Sequence, residues 1–163
     1  MKTIDQWLNE YGESHTNKTN KAIHWICIPL IMFSLVGALW SIPVPEAFAS
    51  VPVIGPVLNV GSILMVLALL FYIRLSVPLF FGFIIIAALI IMGNYAINTA
   101  LDHNGLYHFL VSLAIFVGAW IFQFIGHNIE GKKPSFFKDL QFLLIGPAWL
   151  LHFIYKKVGI PYK

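Results

Sequence analysis

Residues 22–45, 47–72, 75–101 and 103–129 contain no Asp, Glu, Lys or Arg. Each run exceeds the roughly 20 apolar residues that a helix needs to cross a bilayer. Inside hydrocarbon every backbone polar group must be satisfied within the segment, which excludes open sheets and favours helices. The whole chain is only 10% charged, against about 25% for an ordinary globular domain. The expected fold is therefore an all-α integral membrane bundle, one domain over residues 1–163.

Breakers limit the four spanning helices to 21–41, 57–73, 78–98 and 106–126. Pro43, Pro45, Pro52, Gly55 and Pro56 punctuate the first crossover, because proline lacks an N–H and clashes with the preceding turn. Pro78 suits a first helical position, which makes residues 74–77 a tight hairpin. Gly93, Gly118 and Gly126 are expected to let helices approach closely. Ahead of the first span, Ile4, Trp7, Leu8, Tyr11 and His15 recur at helical spacing. Residues 1–20 thus read as an interfacial amphipathic helix and a polar link, with Thr19 or Asn20 as the predicted cap of the next helix. No apolar h-region precedes residue 21, so no cleavable leader is expected. Residues 140–155 are apolar but short, with Gly146 and Pro147 in the middle, and form either a re-entrant or a fifth helix.

Charge placement orients the bundle. With the N-terminus cytoplasmic, Lys2, Lys18, Lys21, Arg74, Lys132, Lys133 and Lys138 fall inside, while Glu46 and Asp102 fall outside. A re-entrant last segment adds Lys156, Lys157 and Lys163 to the inside. The net charge of +3 is thus a membrane signal and does not indicate nucleic acid. The compact form without long tails favours a bacterial inner membrane over the endoplasmic reticulum, and a homo-oligomer is left open. Cys27 is the only cysteine, which excludes an internal disulfide and any multi-thiolate metal site.

The topology sorts the six histidines. His15, His24, His127 and a re-entrant His152 lie toward the cytoplasmic side, and His103 and His108 toward the other. Converging imidazoles suit zinc, copper, iron or nickel; a lone interfacial histidine is more often a hydrogen-bonded amphipathic residue than a ligand. Glu130 either completes a two-histidine, one-carboxylate site or balances Lys132 and Lys133 in solvent. Gln123, one turn before His127, either orients a ligand or bonds between helices. Asn94 and Asn98 read as packing residues. No charged residue sits within a span to mark an ion path. The paired histidine boxes of membrane desaturases and the HExxH of intramembrane metalloproteases are both absent. Two other readings stand: a bis-histidine haem electron carrier using His24 and His127, and a structural membrane protein without metal.

The block His15-Thr-Asn-Lys-Thr-Asn-Lys-Ala-Ile-His24 is followed by an apolar span, and Trp120-Ile-Phe-Gln-Phe-Ile-Gly-His127 by Glu130, Lys132, Lys133 and Pro134. Over nearly the whole chain this order resembles the membrane 2-hydroxy fatty acid dioxygenase family, whose members include a yeast endoplasmic-reticulum enzyme of fatty-acid α-oxidation and bacterial relatives. The resemblance implies an iron(II) oxidoreductase that uses dioxygen to shorten a 2-hydroxy fatty acid by one carbon. It implies His15, His24 and His127 as catalytic metal ligands. Asp102-His103 resembles an Asp-His pair of the family, and His152 stands beside Phe153, where the family often has an acid. A further ligand would therefore be His152, His103 or Glu130. Beside them, Lys132 or Lys133 either receives the substrate carboxylate at the cytoplasmic interface or anchors anionic lipid. Three protein ligands leave room for a chelating hydroxy acid and dioxygen, as a catalytic metal requires.

Overall fold

The computed structural model describes residues 2–131 and 142–162. Seven α-helices and no strand occur among them. Helix α1 (Ile4–Gly12) starts at a capping box, where Thr3 Oγ1 accepts from the Gln6 amide and the Gln6 side chain accepts from the Thr3 amide. Its buried residues Ile4, Leu8 and Tyr11 form one stripe. Helix α2 (Lys18–Trp40) is capped by Asn17, whose side chain accepts from the Thr19 and Asn20 amides at 2.8 and 3.3 Å. The predicted cap at Thr19 or Asn20 is thereby corrected. The helix begins earlier, which puts Asn20 in its first turn with its side chain committed elsewhere.

A short α3 (Glu46–Ala49) and a 3-10 turn (Gly55–Val57) fill the crossover to α4 (Val60–Leu75). Ser76 ends α4 and opens α5 (Val77–Ala100), accepting from the Leu79 amide. Asn104 caps α6 (Gly105–Ile129), and α7 (Ile145–Val158) ends at Gly159, whose φ of 75° favours glycine. Helices α2, α5 and α6 are long and apolar enough to cross a membrane. Helix α4 is equally apolar but has 16 residues, about 24 Å at 1.5 Å per residue. Large apolar side chains such as Leu67, Leu70, Ile85, Leu89, Ile121 and Phe122 are exposed on these helices, a surface suited to lipid rather than water.

Helices α2 and α6 pack antiparallel. His24 meets His127 at one end, and Gly37 meets Ser112 and His108 at the other. The histidine end also carries α1, α7 and the α4–α5 hairpin. Gly146, near the start of α7, abuts Tyr11 and Ile28, while Tyr155, near its end, donates to the Pro78 carbonyl at 2.8 Å. Both ends of α7 therefore sit at the same end of the bundle. The expectation of Gly146 and Pro147 in mid-segment is corrected, because both fall in the first turn of α7, where proline is tolerated. Tyr72 stacks on Phe83 at 3.5 Å and donates to the Leu144 carbonyl, tying the hairpin to the approach to α7.

A second buried polar cluster lies toward the other end. The Asn94 amide donates to the Ile90 and Phe33 carbonyls, so its Oδ1 accepts from His108 Nε2 at 3.1 Å. Asn94 thus joins α5 to both α2 and α6, whereas Asn98 bonds to His103 in an exposed turn. Of the three glycines expected at close approaches, Gly93 lies against Phe33 and Gly126 against Asn20, but a Cβ at Gly118 would meet nothing within 4 Å. Among the described residues Gly118 does not serve helix packing.

Candidate metal centre

The polar link and α2 repeat one device. A histidine ring nitrogen reaches the carbonyl four residues before it: His15 Nδ1 to Tyr11 at 2.6 Å and His24 Nδ1 to Asn20 at 2.9 Å. A carbonyl can only accept, so in each neutral ring Nδ1 carries the proton and Nε2 presents a lone pair. Such an outer hydrogen bond fixes the tautomer and orientation of a metal-binding histidine. His127 arrives from α6, and the three ring centroids are separated by 4.3, 5.4 and 5.0 Å. Taking one ligand atom from each ring, these atoms all lie within 4.8 Å of one another, and all three residues are buried.

Burial suits the neutral form. Desolvation, with the neighbouring His127 and Lys21, brings His15 down to about 4 despite the opposing influence of the Tyr11 carbonyl and Glu130. Its Nε2 is buried with no hydrogen-bond partner among the described residues. A buried polar atom left this way is costly, and a cation between the three rings would remove the cost. The donor set therefore fits a divalent ion. Tyr11 stacks on His15 at 4.1 Å and Trp149 tilts against it at 5.3 Å, closing the ring off from water.

Glu130 lies one turn beyond His127, yet it serves the N-terminal link. Its carboxylate accepts from the Thr16 amide at 2.8 Å, the Thr16 hydroxyl, the Asn17 amide at 2.9 Å and Asn20 Nδ2 at 2.9 Å. Burial alone would raise its pKa, but the hydrogen bonds from Thr16, Asn20 and Asn17 outweigh this and bring it down to about 2. The proposed ligand role does not match this geometry, because these donors already occupy both oxygens and Glu130 is not part of the histidine cluster. Lys132 and Lys133, which the solvated-acid alternative sets beside it, lie outside the described residues. The carboxylate fastens the segment between His15 and His24 to the end of the helix that bears His127. The cradle required Thr16, Asn17 and Asn20, whose role was not read from the sequence; the local signal was a dense polar run between two histidines.

Gln123 is buried and lines a small cavity with His24 and His127. The cavity volume of about 20 Å³ suits one water-sized molecule. It cannot hold a porphyrin, and the edge-on packing of His24 against His127 leaves no slot for one, so the bis-histidine haem alternative does not fit. His152 is buried nearby, but its Nδ1 bonds to the Trp149 carbonyl at 2.6 Å and it stands outside the cluster. His103 lies in the turn before α6, at the opposite end from His127; 22 helical residues separate Gly105 from His127, about 33 Å. Lys132 and Lys133 lie outside the described residues.

The order of the chain, with His15 ahead of α2, His24 within it and His127 in the last turn of α6, invites comparison with known families. A family model described as 2-hydroxy-palmitic acid dioxygenase Mpo1-like matches residues 1–158. The chain belongs to this Mpo1-like family. A relative, the 2-hydroxy-palmitic acid dioxygenase MPO1 of Saccharomyces cerevisiae, is 28% identical over 154 residues, which cover 93% of this chain and 79% of the relative. No solved structure matches the chain. All three clustered histidines lie within the span matched by the Mpo1-like model.

Proposed function

We propose that this chain is an iron(II)-dependent dioxygenase that cleaves the bond between C1 and C2 of a 2-hydroxy fatty acid. The observation that carries the reading is the meeting of His15, His24 and His127, two of them fixed with bare Nε2 atoms, in a chain of a family named for this chemistry. Imidazole alone would equally admit zinc, which has no redox chemistry; activation of dioxygen needs a redox-active ion and favours iron. Bound there, iron(II) would polarise the hydroxy acid and supply redox chemistry toward dioxygen.

The reaction balances without another reductant. One 2-hydroxy acid and one dioxygen give a carboxylic acid one carbon shorter, carbon dioxide and water. The acid loses four electrons, three at C2 and one at C1, and dioxygen gains them. The protein's part is to hold the three imidazoles together, shield His15 with Tyr11 and Trp149, and brace the N-terminal link with Glu130. Gln123 faces the cavity beside His24 and His127, where its amide would orient a small bound oxygen species. Lysine and arginine placement supports a cytoplasmic histidine end, and the proposal sets the protein in a bacterial inner membrane.

The test is metal content by mass spectrometry on anaerobically purified protein, with oxygen uptake on adding 2-hydroxypalmitate. About one iron per chain is expected by the three-ligand count, with both iron and uptake lost in His127→Ala. Zinc without uptake, or an undiminished His127→Ala, overturns the reading.

A further inference from the structure

Between α2, α5 and α7 runs a crevice of about 420 Å³ lined by apolar side chains, among them Trp25, Pro29, Phe33, Leu89 and Leu150. Its volume falls within the range of small-molecule sites. Ile28 and Met32 line both this crevice and the small cavity at His24 and His127, so the two spaces share a wall. Met32, with its flexible thioether, makes that wall adaptable.

The crevice also has a polar end. Residues 21, 25, 29 and 33 follow at four-residue spacing and share one face of α2. Lys21 therefore continues the crevice one turn beyond Trp25, three residues from His24. It lines a second cavity, of about 450 Å³, whose wall includes His15. Asp5, Glu13 and Lys156 line that cavity too, yet among the described residues Lys21 forms no ion pair. Trp25, from the crevice, and Phe153, from the second cavity, meet at 6.4 Å where the two spaces adjoin.

We propose that these spaces bind a long-chain 2-hydroxy acid, with its acyl chain in the crevice and its carboxylate on Lys21 Nζ. The identity of the acid rests on the dioxygenase reading; the shape and the charge do not. An acyl chain leaving the bilayer for an apolar crevice exchanges one hydrocarbon environment for another and gains little. The crevice thus sets chain length, and the unpaired lysine supplies the preference for an anionic head. This position brings C1 and C2 beside the histidines.

Equilibrium binding of radiolabelled 2-hydroxypalmitate to the full chain in detergent, without oxygen, tests the site independently of turnover. Lys21→Met is expected to weaken binding about tenfold, the loss of one charge-assisted hydrogen bond, and Lys21→Arg to restore most of it. Leu89→Trp, filling the crevice from α5, should shift preference toward shorter acids, whereas Ile121→Trp on the exposed side of α6 should not. Iron content should be equal in all four variants. Unaltered binding by Lys21→Met, equal effects of the two tryptophans, or displacement of the acid by phospholipid as readily as by unlabelled acid would overturn the proposal. Wild type that binds the acid as expected but consumes no oxygen would sink the dioxygenase reading and leave this site standing. Oxygen uptake with Lys21→Met binding unimpaired would do the reverse.

Discussion

Replacing Glu130 by alanine should loosen the metal without removing a ligand. The carboxylate takes hydrogen bonds from two backbone amides, one hydroxyl and one side-chain amide, all between residues 16 and 20. A hydrogen bond to a charged group is worth about 1.5–3 kcal/mol. The sum overstates the loss, because Glu130 is half-buried and water replaces part of what is removed. A net cost of about 2–3 kcal/mol is reasonable for alanine, and about half that for glutamine, which keeps one acceptor oxygen. Much of this cost falls on metal binding, since freeing the link lets His15 and His24 move apart from His127. Loss of an outer partner of a metal ligand typically weakens binding about 10- to 100-fold. Glu130→Ala should lie near the upper end and Glu130→Gln near the lower. Anaerobic competition against a chromogenic chelator, at fixed protein and varied iron(II), measures both. Helix content by circular dichroism should stay at the wild-type value. Unchanged affinity in Glu130→Ala would refute the clamp, and complete loss of stoichiometric iron in both variants, equal to His127→Ala, would make Glu130 a ligand.

Because the Glu130 carboxyl is brought down to about 2 from 4.5, the stability it contributes is fully present above pH 4.5 and is lost as pH falls toward 2; thermal melts of the metal-free protein should show this acid limb flattened in Glu130→Gln. Gly37→Ala should destabilise the bundle by about 1–3 kcal/mol through overpacking, since its Cβ would lie 2.3 Å from Ser112 Oγ and 2.4 Å from Asn94 Oδ1. Gly118→Ala, meeting nothing within 4 Å, should leave the melting temperature unchanged or raise it, and a loss there equal to that of Gly37→Ala would contradict the packing described. His103→Ala and His152→Ala should each retain wild-type iron content by mass spectrometry, because neither ring belongs to the triad; iron loss in His152→Ala would reveal a fourth ligand.

The parts of this fold legible in the sequence are those that local chemistry decides. Long uncharged runs have few options in hydrocarbon, so α2, α5 and α6 follow from the absence of charge alone. Their ends were less legible because several polar residues competed for the same role. Asn17, Thr19 and Asn20 can all cap a helix, and the choice falls to Asn17 because Asn20 is drawn to Glu130, 110 positions away. The same distance hides the role of Glu130 from a local reading. Beside Lys132 and Lys133 it looks like a surface acid, and nothing local signals donors from residues 16–20.

The Glu130 contact also resolves how a short, polar N-terminal link can hold His15 beside His24 of α2 in a buried site. A free link would lose much conformational entropy on being ordered, about 1–2 kcal/mol per residue for the backbone. Here the chain between His15 and His24 is fixed at both sides: Asn17 caps α2, and the carboxylate at the end of α6 gathers Thr16, Asn17 and Asn20. Gly126 allows this by lying so close to Asn20 Oδ1 that a Cβ would stand 2.4 Å away. The cluster is therefore a property of α6 as much as of the link, because the last turns of that helix supply His127, the space for Asn20 and the acid that holds the link in place. Gly126→Ala accordingly tests the same connection from the apolar side. It leaves every histidine and Glu130 in the chain but pushes Asn20 away from α6, so iron affinity should fall about 10- to 100-fold, as for loss of an outer partner. The chelator competition used for Glu130→Ala measures it, and unchanged affinity would mean that Asn20 is not part of the bracing of His24.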